Sequence, residues 1–447
     1  MCQFDDFIIL HHNIIYQILI GDFIMEILLS LSIALLSGLL LSRGAKLLKL
    51  PAVTAYLVAG ILIGPYLLGR LGIGGLGFVS MENVESFSLI CDVALGFIAF
   101  SMGNEFRLSA LKSIGRQATV IGIFQAVVTT LVVDGVLIGL HFAMPDKLSL
   151  PAAIVLGAVA AATAPAATLM VVRQYKAKGP LTNILLPVVA LDDAVGLVLF
   201  AISFGVAKSL TLGNVNVASV ILEPILEVLL SLGLGLLMGF LFSLTERFFH
   251  SRSKRLAVSV TFVFLTVALS MLTFNIGGIH IAFSSLLSCM MLCTVFCNIC
   301  DFSEELMDRL DRWTAPLYIL FFVLSGAELE LSVFGDFAIV LIGVVYVLAR
   351  SAGKYSGAYI SARAVKCDPN IVKYLGVTLL PQAGVALGMA MKSTALGPDG
   401  LLVANITLFA VLIYELIGPM LTKIALLKAG DIRPEGAVSA RRLAEKE

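Results

Sequence analysis

The stretch Leu191-Asp192-Asp193-Ala194-Val195-Gly196 lies inside an apolar run from Leu181 to Leu210. About 20 residues suffice to cross a hydrocarbon core of roughly 30 Å, so this run is long enough to span a bilayer. A charged side chain at the centre of a spanning helix costs about 2.5–3.5 kcal/mol on insertion scales. Two adjacent carboxylates at that depth read as an ion or proton site facing the protein interior or a water-filled cavity. The bland alternative is a pair satisfied by structural hydrogen bonds alone.

The whole chain supports a membrane setting. Of its 447 residues 59% are hydrophobic and 13% charged, against about 25% charged in soluble domains. Net charge is zero, and no extended basic patch calls for nucleic acid. Seven cysteines, an odd number set in apolar runs, do not describe a disulfide framework. Cys289, Cys293 and Cys297 share a helix face and read as small packing residues rather than metal ligands. The first 22 residues hold no Lys or Arg, so they lack the basic start of a secretory signal. His11 and His12 there have no ligand partners nearby in sequence. No cofactor motif is visible.

Thirteen apolar segments stand out, at roughly 23–42, 51–69, 86–106, 117–142, 151–173, 181–210, 221–247, 256–275, 279–300, 313–330, 337–362, 371–392 and 401–427. Of the 30 Lys and Arg residues, 24 fall in the loops after odd-numbered segments or at the C-terminus. The loops after even-numbered segments hold only Arg70, Lys147, Lys208 and Lys392. Because basic loops favour the cytoplasm, the N-terminus is expected outside and the C-terminus inside. Arg350 and Lys354 are left within segment 11.

The chain repeats itself. Gly103-Asn104-Glu105-Phe106 closes segment 3, and Gly326-Ala327-Glu328-Leu329 closes segment 10. Pro165 in segment 5 answers to Pro381 in segment 12, and Asp193 in segment 6 to Glu415 in segment 13. Segments 1–6 therefore read as duplicated in 8–13, with segment 7 as connector. A shift of seven segments inverts the second copy. The expected fold is an all-α membrane protein of 13 transmembrane helices, two inverted six-helix repeats with crossed broken helices at the midplane, a transporter architecture.

Pro165 sits in Thr163-Ala164-Pro165-Ala166-Ala167-Thr168, where it removes an amide donor and clashes with the preceding turn. With Pro381 and Gln382 it marks a crossing whose freed carbonyls and helix dipoles need charged partners. A kink repaired by neighbouring helices is the plainer reading. Thr163 and Thr168 could add hydroxyl oxygens for a hard cation, or merely pack. Lys354 is the natural counter-charge to the acidic pair. Arg350, one turn away, is the alternative partner, or it snorkels to the cytoplasmic boundary. Glu415 reads as support for the crossing more than as an ion ligand. Asp92 and Asp134 are further acids in apolar segments without a supporting motif.

These residues carry a resemblance. Thr163-Ala164-Pro165, Gly179-Pro180-Leu181, Leu191-Asp192-Asp193-Ala194, Gly353-Lys354, Pro381-Gln382-Ala383-Gly384-Val385-Ala386-Leu387-Gly388 and Tyr414-Glu415-Leu416-Ile417-Gly418-Pro419 are similar to segments of the bacterial monovalent cation:proton antiporters. The chain most resembles the electrogenic sodium/proton type with an Asp-Asp pair. That resemblance implies a homodimer in the bacterial cell membrane. It implies a dimerisation domain from 23–106 and 256–330, a core ion-transport domain from 117–210 and 337–427, and a connecting helix at 221–247. An N-terminal extracellular segment at 1–22 and a short cytoplasmic tail at 428–447 complete the expectation. It also implies Asp193 as the ion carboxylate, binding Na⁺ or a proton, and Asp192 as the partner of Lys354. Segment 9 departs from the pattern in being rich in Cys and Met. With about 20 polar residues after segment 13, regulation through the cytoplasmic nucleotide-binding domain of potassium-efflux relatives is not expected.

The function expected is Na⁺ against H⁺ exchange by competition for one carboxylate, with K⁺, Li⁺ or mixed cations as the alternative. A channel lacks any visible selectivity-filter sequence. An organic-anion symporter on a related fold is the remaining rival.

Overall fold

The structure, a computed structural model, describes residues 25–432 except 26, 48–49, 74–75, 213–216, 277–278, 301, 329–334, 336 and 384. The expected segment at 1–22, with His11 and His12, and most of the tail lie outside these residues. Helices dominate: α1 Ile27–Leu47, α2 Ala52–Ile63, α3 Met81–Glu85, α4 Ser88–Gly103, α5 Leu108–Ala143, α6 Leu150–Val159, α7 Pro165–Gln174, α8 Pro180–Leu212, α9 Val217–Glu246, α10 Arg252–Ser270, α11 Ser285–Ile299, α12 Ser303–Glu328, α13 Phe337–Ala364, α14 Pro369–Thr378, α15 Val385–Ser393 and α16 Pro398–Ala429. Seven of the helices searched are long and apolar enough to cross a membrane, and shorter apolar helices pack among them.

The starts of the shorter helices follow from local chemistry. Ser149 Oγ accepts from the Ala152 amide, with Pro151 in the first turn of α6. The Asp368 carboxylate accepts from the Asn370 amide and Pro369 opens α14. Ser284 caps α11 through the Leu287 amide. Such caps satisfy donors that a helix start leaves open. The start of α8 is closed from far away: Asp431, just past α16, accepts from the Thr182 amide at 2.6 Å and its hydroxyl at 2.7 Å. An unexpected antiparallel hairpin, β1 Phe274–Ile276 and β2 Ile279–Ile281, joins α10 to α11. Its Phe and Ile residues favour extended backbone, and apolar composition alone merged them into the flanking helices.

Close helix crossings use glycine. A Cβ on Gly60 of α2 would stand 1.9 Å from the Val323 carbonyl of α12, and one on Gly326 2.2 Å from the Leu57 carbonyl. On the other side, Cβ atoms at Gly353 and Gly357 of α13 would lie 2.9 Å from Thr129 Cα and Gln125 Cα of α5. Small residues let backbones approach where lipid offers no hydrophobic drive between helices.

Segments 5 and 12 are each broken in two. Between α6 and α7 the chain is non-helical through Ala162, Thr163 and Ala164, and between α14 and α15 through Leu380–Ala383. The break precedes Pro165, which opens α7 as its first residue; a proline there gives up an amide that would have no intrahelical partner anyway. The plainer reading of a kink in one continuous helix does not hold: the chain is broken here, and Pro165 begins the second half rather than interrupting a turn. Pro381 lies within its break, and its carbonyl accepts from the Ala164 amide at 2.8 Å, tying the two crossings together.

The other freed carbonyls are taken up by side chains. Arg350 donates to the carbonyls of Ala160 (3.0 Å), Ala162 (2.7 Å) and Leu380 (2.7 Å), and its guanidinium lies 4.5 Å from the Tyr414 ring centroid. Lys354 donates to Ala161, Thr163 to Leu379, and Gln382 to Val159. Helices α6 and α14 both aim their carboxyl ends, the negative ends of their dipoles, at these two cations. Arg350 is fully buried, so it does not snorkel. Nor is it the partner of Asp192, since its donors reach carbonyls.

Two expected outcomes follow. Gly326→Val should cost about 1–3 kcal/mol by overpacking and lower the thermal midpoint of purified protein. Gly44→Ala, with nothing within 4 Å of the added carbon, serves as the unaffected control. Arg350→Leu should abolish assembly or transport by stranding three carbonyls, while Pro165→Ala should retain turnover within a few-fold. Size-exclusion profiles and liposome flux of both variants check this.

Candidate functional site

Helix α8 runs past both breaks. A Cβ on Gly196 would come within 3.7 Å of the Ala162 nitrogen and 3.6 Å of Met389 Cε on α15. One turn earlier stand Asp192 and Asp193, exposed to only 0% and 1%. Their surroundings differ sharply.

Both oxygens of Asp192 are engaged. Oδ2 meets Lys354 Nζ at 2.6 Å and accepts from the Thr163 hydroxyl. Oδ1 accepts from Gln125 Nε2 at 2.5 Å. Lys354 is equally enclosed: beyond Asp192 and the Ala161 carbonyl, it reaches Gln125 Oε1 at 3.0 Å and Thr163 Oγ1 at 2.9 Å. Both members of this ion pair are 0% exposed. A buried pair of this kind holds only when its remaining donors and acceptors are satisfied, and here they are.

Asp193 is the opposite case. Neither of its oxygens meets a hydrogen-bond donor among the described residues. A buried, unpaired carboxylate is too costly to keep as a bare charge. It needs a proton, or a cation brought to it.

The other expected site residues differ in what they touch. Thr163 joins the Asp192 network. Thr168 turns back to the Ala164 carbonyl of its own helix, and Gln382 braces the crossing through Val159 and the Tyr346 hydroxyl. Pro165 and Pro381 shape the crossing and offer no side-chain ligand. Glu415 is buried on α16, one turn from Gly418, where a Cβ would lie 3.0 Å from Pro381 Cγ. It takes no part in the hydrogen bonds around Asp192. Asp134 stays apart: its Oδ1 lies against Gly157 of α6, 1.7 Å from where a Cβ would be. Asp92 is only partly buried on α4. Cys289, Cys293 and Cys297 are buried, and no metal-holding group of His, Cys, Asp and Glu occurs among the described residues.

Sequence reading missed Gln125, which touches both members of the ion pair. The available signal was faint: the one amide inside the apolar segment 117–142 other than Gln117 at its first position, four residues before Thr129. Tyr346 and Tyr414 were missed too; Tyr414 bonds Ser351 and the Val347 carbonyl of α13.

At one end of the molecule a cavity of about 810 Å³ opens between Met170–Lys178 and the helices α2 and α12. Arg173 crosses it to Asp311 at 2.7 Å and to the Tyr318 hydroxyl at 3.4 Å. Beside it Gln174 Oε1 accepts from the Ala52 amide at 2.7 Å.

Comparison with known proteins gives this arrangement its context. The chain is 25% identical over 418 residues to the Na(+)/H(+) antiporter NhaS4 of Synechocystis, covering 89% of this chain and 96% of that one. It is 22% identical over 357 residues to a probable Na(+)/H(+) antiporter 3 of Methanocaldococcus jannaschii, covering 79% and 85%. The solved structure of the sodium proton antiporter MjNhaP1 from the same archaeon superposes with a TM-score of 0.68 at 17% identity, over 91% of this chain and 99% of that one. That likeness establishes the fold. A family model for the transmembrane sodium/hydrogen exchangers matches residues 31–428, and the chain belongs to that family.

Proposed function

We propose that this protein exchanges Na⁺ for H⁺ across a membrane by alternating access, with Asp193 as the carboxylate that takes either ion. One observation carries the assignment: of two adjacent buried carboxylates, Asp192 has every oxygen engaged and Asp193 has none engaged among the described residues. Only the second has both oxygens without a protein donor among the described residues. A site that holds one cation or one proton, and never both, couples the two gradients when it is exposed to each side in turn. Family membership and the names of the relatives support Na⁺ as the cation. K⁺ and Li⁺ are the alternatives for transport assays to separate.

On this reading α5–α8 and α13–α16 form the moving core. Helices α1, α2, α4 and α10–α12 form the dimerisation scaffold of a homodimer, and α9 connects them. The Arg173–Asp311 ion pair and the cavity beside it lie between the two parts. The chain would cross the membrane 13 times with its N-terminus outside, in a bacterial plasma membrane, and serve Na⁺ and pH homeostasis. If two protons enter for each Na⁺ leaving, one net charge moves inward and each 100 mV adds about 2.3 kcal/mol of drive. Lys354, in contact with Asp192, is the candidate carrier of the second proton.

Asp193→Asn keeps the shape but can neither take up a proton nor neutralise a cation. In proteoliposomes it should abolish proton movement triggered by Na⁺, K⁺ or Li⁺ pulses while leaving the purified protein's elution unchanged. Wild-type antiport by this variant would remove Asp193 from the mechanism.

Asp192→Asn leaves the Lys354 ammonium buried without its counter-ion, and breaking such a pair costs about 3–5 kcal/mol. The double change Asp192→Asn with Lys354→Gln should recover part of that loss, because neither charge is then stranded. Thermal unfolding of both singles and the double forms the cycle. Simple additivity would mean that the two side chains do not stabilise each other.

A further inference from the structure

Gln125, like the Thr163 hydroxyl, touches both ends of the buried ion pair, and it does so with a separate donor and acceptor atom. It stands on α5, wholly buried. Its Oε1 accepts from Lys354 at 3.0 Å, and its Nε2 donates to Asp192 at 2.5 Å and to the Gly122 carbonyl at 3.2 Å. The two charged side chains also meet directly at 2.6 Å. Amide, ammonium and carboxylate therefore close a ring in which each group donates to the next or accepts from it.

The ring has a polarity. Carbonyl towards lysine and NH₂ towards aspartate suits an ammonium beside a carboxylate. Were the pair to become neutral amine and neutral acid, the opposite orientation would fit: the acid would donate to the amide oxygen, and the amide NH₂ to the amine lone pair. An amide has no charge of its own to lose, so its oriented dipole favours one protonation state of its neighbours over the other. The backbone holds it firmly in place. Gly357 of α13 lets that helix approach until an added Cβ would lie 2.9 Å from Gln125 Cα, and the Gln125 carbonyl accepts from Thr129 Oγ1 at 2.6 Å.

The charged groups around this amide are few. From α8 come Asp192, in contact, and Asp193, the next residue. From α13 come Lys354, in contact, and Arg350, whose donors are occupied by the carbonyls of Ala160, Ala162 and Leu380. The break between α6 and α7 contributes only the Thr163 hydroxyl and the Ala161 carbonyl. On α5 itself, Asp134 lies more than two turns away, against Gly157.

We propose that Gln125 is a positioning residue that holds Asp192 and Lys354 in their ionised pairing and thereby sets the pH range over which a cation can displace the proton at Asp193. This rests on Asp193 being the exchange carboxylate. Without the amide, the Asp192 charge is less well compensated, and it lies one residue from Asp193. Negative charge there favours a proton at Asp193, and cations then compete less well near neutrality. At alkaline pH, where protons are scarce, the handicap disappears.

The test uses full-length protein in liposomes, with Na⁺-driven proton flux measured from pH 6.5 to 9.5 for wild type, Gln125→Asn, Gln125→Leu and Asp193→Asn. Asparagine keeps the amide but is one methylene too short to span both partners. For both Gln125 variants we expect the Na⁺ KM at pH 7 to rise about ten-fold, the scale of one lost hydrogen bond to a charged group. We expect a return towards the wild-type KM near pH 9 and a Vmax within about three-fold of wild type. A wild-type KM at every pH overturns the proposal. So does a Vmax loss equal at every pH with KM unchanged, the signature of a merely structural residue. Failure of both variants to assemble also overturns it. If Asp193→Asn transports normally, the carboxylate assignment itself falls. If Asp193→Asn is inactive and the Gln125 variants follow the wild-type pH profile, only the role of Gln125 falls.

Discussion

Two cations on one helix hold the interior of this protein together. Breaking a helix inside a membrane frees carbonyls that have no water to turn to, and each one left unpaired is costly. Here α6 and α14 both end at midchain breaks, facing each other, with their dipoles' negative ends converging. Arg350 and Lys354, four residues apart on α13, reach the exposed carbonyls of Ala160, Ala161, Ala162 and Leu380. The glycines at 353 and 357 bring α13 against α5, and so place Lys354 where Gln125 and Asp192 can also meet it. If that helix lost its two charges, the carbonyls of Ala160, Ala161, Ala162 and Leu380 would lose these donors and the crossing its electrostatic closure.

The two cations divide the work. Arg350 spends its donors on three carbonyls at the breaks, so it serves the permanent task of closing them. Lys354 is bound to one break carbonyl but also to a carboxylate, a hydroxyl and an amide. That set of partners ties Lys354 both to the fold and to the carboxylate pair, and it is the reason Lys354 rather than Arg350 is proposed as the proton carrier.

Much of this was legible from the amino acids. The adjacent Asp residues, the Lys on segment 11, and the prolines near 165 and 381 all fall at or beside the crossing. Composition and internal repeats pointed to a membrane transporter, and the resemblance of the motifs around Asp193, Lys354 and Pro381 pointed to the family that the comparisons show. Other features were hidden for physical reasons. Arg350 and Lys354 share a helix face, so periodicity treats them alike. About one helical turn, roughly 5.4 Å, decides which meets Asp192 and which meets the carbonyls. Gln125 belongs to a long apolar run, and nothing in the run says which of its faces turns inward. Pro165 was read as a helix breaker within a span, yet it begins a helix; a proline at a first position and one at a kink look the same in sequence. The hairpin at 274–281 was absorbed into two apolar segments because strand and helix residues there are equally hydrophobic.

The contrast between Asp192 and Asp193 also has a thermodynamic side. A native state that keeps one buried carboxylate without a fixed partner gains stability from whatever ion settles there, by an amount that grows with the logarithm of that ion's concentration. If Asp193 is the exchange carboxylate proposed above, the protein's resistance to unfolding is tied to the composition of the solution on the side to which it opens. The same linkage that drives exchange would make the folded protein firmer in salt or acid than in dilute alkali, and most fragile when neither ion is abundant.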